Sequence, residues 1–214
     1  MISVLKRFSL CLLLIAQNAA AAERKAGDFD YYVLALSWNA SWCAAEGDAR
    51  DAEQCDPKYD FGFLVHGLWP QFENGWPSFC QTTARDPSRR QTAAMADVMG
   101  SGGSAWNQWK KHGRCTGLTA DAFFELTRDA FAKINRPAIL RRVEKPLRIS
   151  PSVIEEAFLS TNPDLTADGV TITCQDGRIR EARICLTRDL KFRQCAPDVR
   201  RDCGAKGPIF PPIK

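Results

Sequence analysis

Cysteine use constrains this chain more than any other feature. The sequence holds nine cysteines. Cys11 lies inside an apolar N-terminal run, and eight follow it: Cys43, Cys55, Cys80, Cys115, Cys174, Cys185, Cys195 and Cys203. The leader has a positive start at Lys6 and Arg7, an apolar stretch over residues 8–16 and four small residues, Ala19 to Ala22. That order is the pattern of a secretory signal, with cleavage expected after Ala22. Residues 1–22 are therefore read as a signal peptide and 23–214 as one domain with room for a sizeable core. The apolar run is too short to cross a bilayer comfortably, so no membrane attachment is expected once it is removed. An even number of cysteines behind such a leader predicts four disulfides and a secreted or periplasmic location. Cys-x-x-Cys spacing is absent and the chain has two histidines, so neither a metal nor another cofactor is expected. Spacing alone leaves the pairing of the eight open.

Cleavage would remove two basic residues and no acidic one, taking the net charge from +4 to +2. So mild a balance does not mark a nucleic-acid binder; any basic footprint must be local. No repeat or long linker divides the chain. Residues 31–36 and 61–66 read as strands, the second placing Phe61, Phe63 and Val65 on one face and Gly62, Leu64 and His66 on the other. Residues 89–99 read as a helix stopped by Gly100-Ser-Gly-Gly103, residues 104–115 as a second, and Thr119 and Ser150-Pro151 as the starts of two more. Residues 169–174, 178–187 and 190–195 read as strands, with Asp176-Gly177 as a hairpin turn. The fold class expected is α+β: an antiparallel central sheet with helices packed on it, stapled by disulfides into a single domain. Phe123, Phe131 and Phe158 are assigned to its core.

The two histidines fall in two Trp/Gly-rich segments, Phe63-Leu-Val-His-Gly-Leu-Trp-Pro70 and Trp106-Asn-Gln-Trp-Lys-Lys-His-Gly-Arg-Cys115. A pair of imidazoles can take a proton from one oxygen and deliver one to another without a metal. On a helix, Gln108, Lys111 and His112 share a face, while Trp106 and Trp109 would pack a neighbouring stripe against the core. His66 is expected at a strand end, with Gly67 allowing a sharp turn and Trp69 offering a surface on which a base could stack. Two histidines, a lysine and an amide suit phosphodiester transphosphorylation. One histidine removes the proton of an RNA 2′-hydroxyl, the other protonates the leaving 5′-oxygen, and Lys111 with Gln108 stabilises the charge on the phosphoryl oxygens. DNA lacks the attacking hydroxyl, so RNA is the expected partner.

His66-Gly-Leu-Trp-Pro70 and Trp109-Lys-Lys-His-Gly-Arg-Cys115 resemble the two active-site segments of the ribonuclease T2 family, over residues 28–210 of this chain. The resemblance implies a secreted, disulfide-bonded endoribonuclease producing 2′,3′-cyclic phosphates; a monomer is expected. It implies His66 as general acid, His112 as general base, Lys111 as the transition-state lysine and Trp69 as a substrate contact. It also implies the bridges Cys43–Cys55, Cys80–Cys115, Cys174–Cys203 and Cys185–Cys195. Two positions depart from the family pattern: Gln108 stands where a Glu is usual and Asn107 where a His is common. Gln108 cannot ionise but can donate to a phosphoryl oxygen, and Asn107 can do the same. Arg114, where Thr is frequent, is expected to add charge near the phosphate path. The rival readings are a catalytically weakened member of the same fold that binds RNA or a protein, and a disulfide-rich domain whose histidines are incidental. Asn39-Ala-Ser41 forms a glycosylation sequon.

Overall fold

A computed structural model of the chain describes residues 25–214; the leader read at residues 1–22, with Cys11, lies outside them. In chain order the main elements are β1 (Tyr31–Trp38), α1 (Asn39–Trp42), β2 (Phe63–Gln71), α2 (Arg89–Ala93), α3 (Ala96–Met99), α4 (Gly102–Lys111), α5 (Ala120–Lys133), β3 (Leu147–Arg148), α6 (Pro151–Thr161), β4 (Val170–Gln175), β5 (Arg178–Leu186) and β6 (Ile209–Phe210). The strands form one sheet in the order β2-β1-β5-β6-β3, with β4 also on β5. Pairing is antiparallel throughout, except for a single parallel contact between β5 and β6. The α+β class expected from the sequence is the class observed.

β1 is aromatic and aliphatic from Tyr31 to Leu36 because both of its faces are covered. Tyr32, Leu34, Leu36 and Trp38 enter the main core with Trp109, Phe123, Ile154 and Phe158. Tyr31 and Val33 enter a smaller cluster with Cys185, Cys195, Ala196 and Val199. Each large apolar side chain buried this way contributes roughly 1.5–3 kcal/mol relative to leaving it in water. Phe131 packs at the edge of the main core.

β2 does not end at His66. It begins at Phe63 and runs on to Gln71, leaving Phe61 and Gly62 outside. Ala35 pairs with Gly67 and Leu36 with Val65, so His66 is an extra residue, a β-bulge. The bulge reverses the alternation: Phe63 and Val65 face the main core before it and Leu68 after it. A bulge of this kind re-aims a side chain out of the pleat. Gly67 has no positive φ, so its role is not a sharp turn. A Cβ there would overlap the Gln108 Oε1 and the Trp69 Nε1; the site needs its emptiness.

The single helix expected over residues 89–99 is two. Ser88 opens α2 with a capping box to Gln91. Met95 N–H then donates to Thr92 O at 3.1 Å, a tighter turn that swings buried Met95 into the core. Gly100, at φ 78, ends α3. Ser101 caps α4, which stops at Lys111; His112 has φ −120 and Gly113–Thr116 forms a 3-10 turn. The helix expected over 104–115 is thus shorter, although His112 N–H still donates to Gln108 O at 2.9 Å. Thr119 and Ser150 cap α5 and α6. Asp176 and Gly177, both at positive φ, turn the β4–β5 hairpin as their pairing predicts. Residues 190–195 are not a strand. Leu190 adopts φ 62, a loop closes between Thr187 and Lys191, and one bridge, Leu186 to Phe192, remains.

All four bridges implied by the resemblance are present: Cys43–Cys55, Cys80–Cys115, Cys174–Cys203 and Cys185–Cys195. Cys80–Cys115 ties the loop after β2 to the turn after α4. Asn39 of the sequon is buried and holds Gln54 through both ends of its amide, at 2.9 Å each.

Candidate active site

β2 and the end of α4 bring His66, Trp69, Gln108, Lys111 and His112 to one cavity of about 290 Å³. Trp69 lies between the two imidazoles. His66 meets it edge-on with centroids 5.2 Å apart, and His112 stacks on it at 5.4 Å. Trp69 Nε1 donates to Gln108 Oε1 at 2.8 Å. An indole N–H can only donate, so the oxygen of the amide must face it, and the NH₂ of Gln108 is left to donate elsewhere. The Gln108 amide is thereby fixed in the orientation useful to an anion.

The two histidines have opposite surroundings. His112 is buried, at 5% exposure, and its Nδ1 has no hydrogen-bond partner among the described residues. Burial, with the charges of Lys111 and His66, pushes its pKa down to about 3. It is a neutral imidazole at ordinary pH. His66 has a side chain 34% exposed and gives its Nδ1 to the Glu181 carboxylate at 2.5 Å. Glu181 is fully buried. Burial by itself would raise its pKa; the hydrogen bond and charge of His66, then Arg183 and Arg180, more than offset this and hold it well below the usual range.

Asn107 is not on the cavity that holds Lys111 and His112. It lines an adjoining one of about 220 Å³, which shares His66, Gln108 and Arg180 with the first. Arg114 does not lie free beside a phosphate path: its guanidinium makes three hydrogen bonds to Asp86, at 3.1, 2.6 and 2.8 Å. The same carboxylate accepts from Trp109 Nε1 at 2.8 Å, so Arg114 braces the back of α4. Trp109 is fully buried, whereas Trp106 is 36% exposed and carries Lys110 over its ring instead of packing inward. Two charged side chains that β5 adds to the cavity wall, Arg180 and Arg183, went unread in the sequence, as did the buried Glu181 to which both are bridged. Their run, Arg178-Ile-Arg-Glu-Ala-Arg183, carries the charges expected of a solvent-facing strand. Trp76 and Asp198 also reach this cavity.

Known proteins resemble this chain in sequence and in fold. A ribonuclease from Aeromonas hydrophila is 39% identical over 123 residues, covering 58% of this chain and 54% of that protein. Ribonuclease I of Escherichia coli (strain K12) is 31% identical over 148 residues, 50% of this chain and 55% of that protein. The chain thus spans about half the length of the first curated relatives it matches. Among solved structures, an RNase-related protein from Calystegia sepium superimposes with TM-score 0.65 at 19% identity, covering 86% of this chain and 98% of that one. RNase NT in complex with 5′-AMP gives TM-score 0.59 at 23% identity, with 86% and 99% covered. At these identities the likeness establishes the fold. Residues 29–195 match the model of the ribonuclease T2 family, and the chain belongs to that family.

Proposed function

We propose that this protein is an endoribonuclease that cleaves single-stranded RNA by metal-independent transphosphorylation. One observation carries the reading. The two imidazoles flank Trp69 in a single cavity, one of them held neutral by burial and the other bound to a carboxylate through Nδ1. A general base must begin neutral and a general acid protonated. His112 suits the first role and His66 the second.

In the proposed step His112 takes the proton of the 2′-hydroxyl. The oxygen attacks phosphorus in line, forming the O2′–P bond as the P–O5′ bond breaks. His66 delivers a proton to the departing O5′, leaving a 2′,3′-cyclic phosphate. Lys111 and the NH₂ of Gln108 stabilise the charge on the phosphoryl oxygens. Trp69 positions the substrate, and Asn107 donates to it from the adjoining cavity. The relatives named as ribonucleases support RNA as substrate, and the neighbour holding 5′-AMP supports nucleotide binding in this fold.

The leader over residues 1–22, together with four disulfides, supports export of the mature chain, residues 23–214, to the periplasm or outside the cell. No helix among the described residues is long and apolar enough to cross a membrane. The test is incubation of purified mature protein with RNA in excess chelator, followed by analysis of fragment ends. Fragments ending in 2′,3′-cyclic phosphate are expected. Cleavage that needs a divalent ion would overturn the mechanism. Binding without cleavage would favour the weakened-member reading, to which Gln108 in place of Glu gives its one specific support.

A further inference from the structure

The side chain that departs most from its surroundings is Glu181. A carboxylate with no exposure, in the middle of a sheet, is costly unless both oxygens are satisfied. Here they are. Oε1 takes His66 Nδ1 at 2.5 Å and has Arg180 Nε at 3.4 Å; Oε2 takes Arg183 Nε and Nη2 at 3.0 and 2.9 Å. Arg183 also lies over the ring of Trp69, 5.3 Å from its centroid.

The backbone that delivers Glu181 is irregular in the same way as the backbone that delivers His66. Cys174 pairs with Ile179 and Thr173 with Glu181, so Arg180 is an extra residue in β5, just as His66 is in β2. Between the two strands runs β1, where Ser37 pairs with Leu64 on one side and with Glu181 on the other. Two bulges facing each other across one strand place a buried carboxylate on an imidazole.

We infer that Glu181 is a positioning residue for phosphodiester cleavage: it fixes the His66 ring in its Nδ1–H form and aims Nε2 at the leaving oxygen, and through Arg183 it holds Trp69 in register with that ring. The inference rests on the proposed reading of His66 as general acid. A carboxylate bonded to one imidazole nitrogen sets the tautomer and orientation of the other. The base side of the cavity has Gln108 where the family pattern has a carboxylate, so Glu181 is the acidic group that touches an imidazole in this site.

A leaving-group comparison tests it. A nucleoside 5′-alkoxide needs protonation as it departs; a 4-nitrophenolate does not. We expect Glu181→Gln to lower kcat on a dinucleoside monophosphate by about 10²-fold, the low end of what one acid–base group contributes. Turnover of the matching nucleoside 3′-(4-nitrophenyl phosphate) should stay close to that of the parent, and KM should move little. His66→Ala should show the same selectivity more strongly. If His66→Ala is selective and Glu181→Gln slows both substrates equally, or neither, the positioning role is wrong and the acid reading stands. If His66→Ala itself slows both equally, the acid reading falls and the inference with it. Should Glu181→Gln fail to fold, ¹⁵N correlation spectra of the parent protein, with pH raised until the ring carries one proton, decide. The neutral His66 ring is expected as the Nδ1–H tautomer, and the Nε2–H tautomer would overturn the inference.

Discussion

Burial of a neutral His112 should make this protein less stable in acid, by an amount that one substitution can isolate. An unfolded histidine titrates near the model value of 6.5, whereas His112 in the fold is pushed down to about 3. Between those values the unfolded chain binds a proton that the folded chain refuses. Stability from this residue is therefore complete above pH 6.5 and falls as pH drops towards 3. Each pH unit across the window costs about 1.4 kcal/mol, so roughly 3 kcal/mol is lost by pH 4.5 and about 5 kcal/mol in all. Against a total of about 5–15 kcal/mol for a domain, that is a large share. Phe at position 112 removes the titration and keeps a flat ring against Trp69. Urea unfolding of the parent and His112→Phe, with disulfides intact, should be measured at pH 7.5 and 4.5. The parent should lose about 3 kcal/mol more than the variant, a difference in midpoint shift of about 1–3 M. Glu181 also titrates with folding, in both proteins, and cancels in the difference. Equal pH dependence in the two would refute the claim that His112 is held neutral.

Three other outcomes follow from the same geometry. Gln108→Glu keeps an acceptor for Trp69 Nε1 but puts a negative charge beside the base. That should raise the His112 pKa by about 1–3 units and move the ascending, acid-side limb of the pH–rate profile up by as much; an unmoved limb would show that position 108 does not act on His112. Gly67→Ala places a methyl group on Gln108 Oε1 and Trp69 Nε1, so it should cost about 1–3 kcal/mol and most of the activity, and thermal melts matching the parent would contradict this. Replacing Cys80 and Cys115 together by Ala opens a crosslink spanning 35 residues; loop entropy sets the loss at about 4 kcal/mol, and a loss under about 1 kcal/mol in urea would mean the bridge adds little stability.

The segments that carry the site were legible because they are compositionally dense. Both histidines of the chain sit beside Trp, Gly and Cys in short runs, and four of the residues read there meet in one cavity around Trp69. Two caps were legible too, since Thr119 and Ser150 each use a side-chain oxygen on the first turn of a helix, a local bond that needs no tertiary partner; Ser101, read as part of a helix stop, instead caps α4. Asn107 and Arg114 were harder. Helical spacing says which residues share a face, but not that Asp86, 28 residues away from Arg114, captures that guanidinium.

Glu181 was out of reach for a more specific reason. Strand patterns are read with a period of two, and that period holds only while each residue faces one partner. β2 and β5 each carry an extra residue at the site. In β5 the core-facing set therefore passes from Ile179 to Ala182, Ile184 and Leu186, a change of parity that makes Arg178-Ile-Arg-Glu-Ala-Arg183 look like a charged outer strand. The same change turns Glu181 away from the main core, to meet the imidazole that the β2 bulge has re-aimed. Charge in a strand thus cannot be assigned to solvent until the register on both of its sides is known. The residue most closely tied to His66 is 115 positions away in sequence, delivered by the irregularity that hides it.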